Sequence, residues 1–229
     1  MDYLWEGLVQ AGILITTFNP EVYQITWLTL QVSLGATLLA SAAGIPLAVL
    51  LTEGAFPGKE SVITLVNTLM ALPTVVVGLS VFAFLSRQGP LGRLDLLFTP
   101  TAIVIGEFIL ATPIVVALTI AALRGVDPRV RETALTLGAS RSGAARRVVL
   151  ETRYAVVAAI LAGFARVVAE VGSALIVGGN IRGYSRTLAT AIALETGKGE
   201  FAFAIALGLI LILLSLMTNI SLRVLVPKA

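Results

Sequence analysis

The segment RETALTLGASRSGAARRVVLETRY, Arg131–Tyr154, carries five arginines and two glutamates in a chain that is 57% hydrophobic and only 13% charged. Before it, Pro100–Leu123 is apolar apart from Glu107; after it, Tyr154–Val177 is apolar apart from Arg166 and Glu170. Runs of this length are long enough to cross a bilayer, whose hydrocarbon core of about 30 Å needs about 20 helical residues. The polar segment is therefore a stretch held at a membrane surface between two spans. In hydrocarbon the backbone must satisfy its own hydrogen bonds, and the runs are too long for barrel strands, so the chain reads as an all-α integral membrane protein. Its mean hydropathy of +0.97 agrees.

Working outward, five spans are expected, at about 25–52, 62–85, 100–123, 154–177 and 201–222. Residues 1–24 contain Asp2, Glu6 and Glu21 but no basic residue. Their apolar stretch, Leu8–Phe18, is too short to span and reads as an interfacial helix anchored by Tyr3 and Trp5. No basic region precedes it, so no cleaved signal peptide is expected. Pro46, Pro73 and Pro113 fall inside spans and should kink them. With the Arg131 segment inside, the inner segments hold ten basic residues and the outer ones five. That bias puts the N-terminus outside and the tail, 224–229, in the cytoplasm. Residues 178–199 form the longest outer loop, with a short helix ended by Gly197.

Composition excludes several functions. There is no cysteine and no histidine, which removes thiol chemistry, disulfides and the usual zinc sites. No metal site, and no cofactor bound by the chain, is expected. A net charge of +3 is what cytoplasmic loops of a membrane protein supply and does not point to nucleic acid. No G-x-x-x-x-G-K-[ST] loop is present to cradle ATP phosphates. Paired broken repeats, the mark of many ion-driven secondary transporters, are not found. Glu107 and Glu170 are the only carboxylates inside spans, and no Asp–Asp or Ser–Lys pair stands out, which argues against an intramembrane enzyme.

Within the polar segment, Asp127 is a natural N-cap and Pro128 a natural first helical residue. Gly138 can take the positive φ that ends a helix, and Ser140 can cap a second one. A helix, a turn and a helix leading into the fourth span are expected over 127–150. Ala134 and Gly138, one turn apart, should leave a shallow dent ringed by Arg141, Arg146 and Arg147.

This pattern resembles the cytoplasmic signature of binding-protein-dependent ABC importer permeases: Glu-Ala-Ala, three residues, Gly, nine residues, Ile, one residue, Leu-Pro. Here Glu132-Thr133-Ala134 is followed after three residues by Gly138 and, after nine more, by Val148-Val149-Leu150, then Glu151. Glu151 in place of proline departs from the pattern and should remove a kink. The resemblance covers about Thr26–Leu222 and implies the type I importer fold, with the segment as a coupling helix docked on a separate ATPase. Arg131, Glu132, Ala134, Leu135, Gly138 and Ala139 would carry that contact. ATP and Mg would sit on the partner, and the chain itself would catalyse nothing.

Arg166 and Glu170 are four residues apart and can pair on one helix face. Charges at membrane depth are costly and usually face the bundle interior. Arg166 can be read as lining an anion path, or as one member of a structural cluster with Glu170 and Glu107; the excess of carboxylate favours the cluster. Thr112, Ser173 and Asn180 are uncharged polar groups able to line a pore, and Gly163, Gly172, Ser173 and Ala174 permit close helix approach. The stretch Val177–Tyr184 resembles the oxyanion branch of the same family, most nearly the tungstate permeases, with molybdate and sulfate permeases as near relatives. The resemblance implies a homodimer, two ATPase subunits, an extracytoplasmic binding protein and residence in a prokaryotic plasma membrane. A same-build permease for another solute is the remaining alternative within that family.

Overall fold

The computed structural model describes residues 2–225, of which the side chains of residues 2–4 and 6 are left aside. The tail beyond Leu225 and the expected anchor Tyr3 thus lie outside the described side chains. Every described regular element is helical: α1 (Asp2–Thr16), α2 (Pro20–Glu53), α3 (Lys59–Leu69), α4 (Thr74–Leu85), α5 (Pro100–Arg124), α6 (Pro128–Thr136), α7 (Arg141–Glu151), α8 (Arg153–Val168), α9 (Gly172–Gly178), α10 (Leu188–Lys198) and α11 (Phe201–Leu225).

Three helices, α2, α5 and α11, are long and apolar enough to cross a membrane unaided. The other expected spans are broken. At Pro73 the second turns through 102° between α3 and α4. Proline disfavours helical geometry in the residue before it, and Pro73 itself is extended at ψ 125°. The fourth, expected as one helix over 154–177, is α8, a gap at 169–171 and the short α9. Pro46 and Pro113, by contrast, lie inside continuous helices. The first span starts earlier than expected because Asn19 caps it, its Oδ1 accepting from Glu21 N and Val22 N, with Pro20 at the first helical position.

The main core joins α2, α4, α5, α8 and α9 through Val32, Val77, Val81, Ile103, Val115, Val167 and Val177. Small residues set the distances. A Cβ on Gly163 would lie 3.0 Å from Val115 Cγ2, one on Gly172 2.6 Å from Thr74 Oγ1, and one on Gly78 2.9 Å from the backbone of Ser173. Gly78 therefore holds α4 against α9 backbone to backbone. Gly78→Leu is expected to cost about 2 kcal/mol by overpacking, read as a lower thermal midpoint in detergent; an unchanged midpoint would contradict this contact.

The segment 178–199, expected as an outer loop, is not a surface loop. Ser185, Thr187, Leu188, Thr190 and Ala191 are buried, and Leu188 packs with Val22, Ile25 and Leu207 in a second core under α11. Its polar backbone is satisfied internally, Leu188 N donating to Thr29 Oγ1 at 2.8 Å and Thr187 and Thr190 forming a reciprocal cap. Helix α10 ends at Gly199, not Gly197, because Gly199 takes φ +82° and allows Glu200 N to reach Glu195 O. At the N-terminus Trp5 is 69% exposed, but α1 is not bare: Ala11 is fully buried and Gly7 faces Ile205 of α11.

Candidate functional site

The Arg131 segment folds as two helices, α6 with no buried residue and α7 with Ala144 and Val148 buried. Asp127 caps α6, its side chain accepting from Arg129 N at 2.9 Å, and Ser140 caps α7, accepting from Gly143 N at 3.1 Å. Between them Gly138 takes φ +87°. Gly138 N donates to Leu135 O and Ala139 N to Ala134 O, both at 3.0 Å, which closes the end of α6. Gly138 is thus outside the helix. The dent expected on one helix surface is instead a groove between two helices, about 810 Å³, lined by Ala134, Leu137, Gly138, Ala139, Gly143 and Arg147 among others. Of the three arginines expected around it, Arg147 lines it and Arg141 and Arg146 do not.

No residue of α6 is buried, and Leu137 at its end is 82% exposed. An apolar side chain so exposed, at the end of a helix with no buried residue, needs another surface to cover it. Leu137 was not singled out by the sequence pattern, since exposure belongs to tertiary structure. Arg131 anchors α6 to the end of α2 through Glu53, Nε to Oε2 at 2.8 Å. Glu132 and Leu135 are exposed away from the groove lining, and Glu132 makes no ion pair among the described residues.

Glu151, where the signature has proline, does not straighten the chain. The bend between α7 and α8 is 69°. Thr152 provides the break, at φ −91° and ψ 10°, with its hydroxyl turned back onto Val148 O and Val149 O.

Among the intramembrane groups, Arg166 Nη1 bonds Glu170 Oε2 at 2.8 Å, and Glu170 Oε1 accepts from Ser173 N at 3.1 Å. Glu170 lies just past the end of α8 and so serves both as counter-ion and as cap of α9. Ser173 is pressed against Gly106, whose Cβ position would be 2.4 Å from Ser173 Oγ. Glu107, beside it on α5, is 2% exposed and makes no ion pair among the described residues; of the three charged groups expected to cluster, Arg166 and Glu170 form the ion pair. Thr112 and Asn180 are not part of this grouping. Thr112 bonds Phe108 O of its own helix, and Asn180 Nδ2 bonds Thr190 O beneath α10. A further network went unseen in the sequence: at the start of α2, Glu21 bonds Arg182 and Arg186, and Arg186 also reaches Glu195, which bonds Lys198.

Comparison with known proteins matches residues 40–229 to the family described as "Binding-protein-dependent transport system inner membrane component". The chain is 43% identical over 180 residues to a "Probable anion ABC transporter permease protein" of Haloferax volcanii, covering 76% of this chain and 78% of that one. It is 36% identical over 194 residues to the tungstate uptake system permease protein TupB of Peptoclostridium acidaminophilum, covering 85% of each. Sulfate and molybdenum transport permeases are more distant matches. In structure it resembles the MetNI methionine ABC transporter in an inward-facing conformation, with a TM-score of 0.73 over 91% of this chain and 97% of that one at 16% identity.

Proposed function

The chain belongs to the binding-protein-dependent transport system inner membrane component family, and on that premise we propose that it forms the translocation path for tungstate in an ATP-driven importer. The fold is the type I ABC importer transmembrane fold, and the chain is a multi-pass transport subunit of the inner membrane, not itself a catalyst. Its family works with an ATPase and a solute-binding protein. In the proposed assembly two copies of the chain pair, two cytoplasmic ATPase subunits bind ATP and Mg, and an extracytoplasmic protein delivers the oxyanion. The N-terminus lies outside and the C-terminus in the cytoplasm.

The observation that carries this reading is α6: capped at both ends, without a buried residue, and presenting Leu137 beside the Gly138 groove. Such an element is built to be covered. Docked in a cleft of the ATPase, it would transmit closure of the ATPase pair through the Arg131–Glu53 contact to α2 and through α7 to α8. Ala134, Gly138 and Ala139 let the partner approach, and Arg131 fixes the register. Glu132 and Leu135 offer a charge and an apolar contact on the outer side of α6. The oxyanion path runs along the pair axis past the Arg166–Glu170 region. Arg166, half-exposed and tied to a buried carboxylate, holds its charge in place without presenting a free cation that would trap a dianion. Tungstate is favoured over molybdate and sulfate because the permease named for tungstate shares more identity with the chain than those named for the other two.

Substrate is tested by intracellular tungsten and molybdenum, measured by mass spectrometry in a host with and without the chain at nanomolar external oxyanion. Selective loss of tungsten is expected. Loss of molybdenum alone would move the substrate while leaving the permease.

A further inference from the structure

Helix α7 carries two different faces. Gly143, Arg147 and Glu151 line the groove toward α6. Arg146 and Leu150, four residues apart, are exposed on a separate stripe of α7, and Arg153 and Tyr154, exposed at the start of α8, follow directly after the bend. The 69° turn from α8 lays α7 close to the membrane plane if α8 crosses it. That brings the stripe to headgroup level at the mouth of the span.

Its chemistry is paired. Leu150 is 45% and Tyr154 41% exposed, large apolar surface with no cover from the chain. Neither Arg146 nor Arg153 forms a salt bridge among the described residues, although the Glu151 carboxylate acts on Arg153 electrostatically. Arg153 stacks 4.7 Å above the Tyr154 ring, and its Nη2 donates to Tyr154 Oη at 3.3 Å. Stacking holds one guanidinium edge in place and leaves the remaining N–H donors turned outward. Topology alone asks only for positive charge on the cytoplasmic side. It does not ask for two exposed guanidinium groups without a salt bridge on either side of exposed Leu150, one of them seated on an aromatic ring. Water leaves Leu150 and Tyr154 uncovered, whereas a lipid covers them with its glycerol and upper acyl region while its phosphate meets the arginines.

We propose that Arg146, Leu150, Arg153 and Tyr154 form a binding site for an anionic phospholipid of the cytoplasmic leaflet, which braces the α7–α8 bend against the membrane. The site rests on the orientation stated under the proposed function, but it uses none of the residues assigned to ATPase contact.

The test is native mass spectrometry of the purified full-length chain, released from detergent with phosphatidylglycerol or phosphatidylcholine added. Retained phosphatidylglycerol is expected to fall about fivefold in Arg146→Gln or Arg153→Gln and about thirtyfold in the pair, while phosphatidylcholine is unaffected. Inorganic phosphate at the same concentration should not compete, since it cannot cover Leu150 and Tyr154; full competition would make the site a simple anion site and overturn the lipid assignment. Equal retention by wild type and the double variant would also overturn it. The same proteins, assembled with the ATPase, separate this site from coupling. If the double variant loses the ATPase while keeping phosphatidylglycerol, the stripe is part of the ATPase interface and the lipid site is wrong. If it keeps the ATPase in phosphatidylcholine nanodiscs and loses only phosphatidylglycerol, both readings stand.

Discussion

Gly138→Asp is expected to reduce uptake to background while the protein remains in the membrane at its normal level. At φ +87° a side chain costs about 1 kcal/mol of backbone strain, and nothing lies within 4 Å of the Cβ position, so the fold absorbs the change. The loss comes from the partner. A carboxylate at the lip of the groove would be desolvated on docking, and an unpaired buried charge costs several kcal/mol, on the order of a hundredfold or more in affinity. Gly138→Ala carries the same strain without the charge and should keep much of the uptake. Equal loss in both would assign the effect to the backbone turn, and normal uptake in Gly138→Asp would remove the groove from coupling.

Arg166→Ala is expected to be the most destabilising single change in the spans. The Glu170 side chain is 3% exposed and bonded to both Arg166 and Ser173 N, so removing the guanidinium leaves a buried carboxylate uncompensated. Breaking such a pair from one side costs about 3 kcal/mol or more. The readout is a large fall in thermal midpoint and in membrane level. Adding Glu170→Gln removes the stranded charge while keeping an acceptor for Ser173 N, and part of the stability should return. If Arg166→Ala melts like the wild type, the pair is ornamental to the fold.

Much of the polar segment was legible because its signals are local. Asp127, Ser140 and Gly138 act within one turn of their own position, and each does in the structure what its chemistry suggests. Asn19 was equally local and shows that the cap of α2 could have been found from Asn-Pro alone. The breaks were harder. Pro73 was visible, but the interruption at 169–171 depends on Glu170 capping α9 while pairing with Arg166, a double use no propensity encodes. The bend after α7 was expected to vanish without proline, yet Thr152 makes it with a hydroxyl. Segment 178–199 looked like a loop because its threonines and serine are polar; it is buried because Thr187 and Thr190 bond each other and Thr29 Oγ1 accepts from Leu188 N. Glu107 was grouped with Arg166 on charge, and sequence spacing could not tell which carboxylate takes the guanidinium; Glu170, one turn away on the same stretch, does.

The central claim is that α6 is the surface an ATPase covers. The chain has no cysteine, so Leu137→Cys introduces a single thiol. Labelled with a maleimide–benzophenone probe in membranes that also contain the ATPase, and irradiated, it is predicted to give a crosslinked product containing that subunit. The same probe on exposed Leu94, on the far side of the chain, should not. Crosslinking to lipid or to nothing from Leu137, with the ATPase bound elsewhere on the chain, would contradict the coupling role of α6.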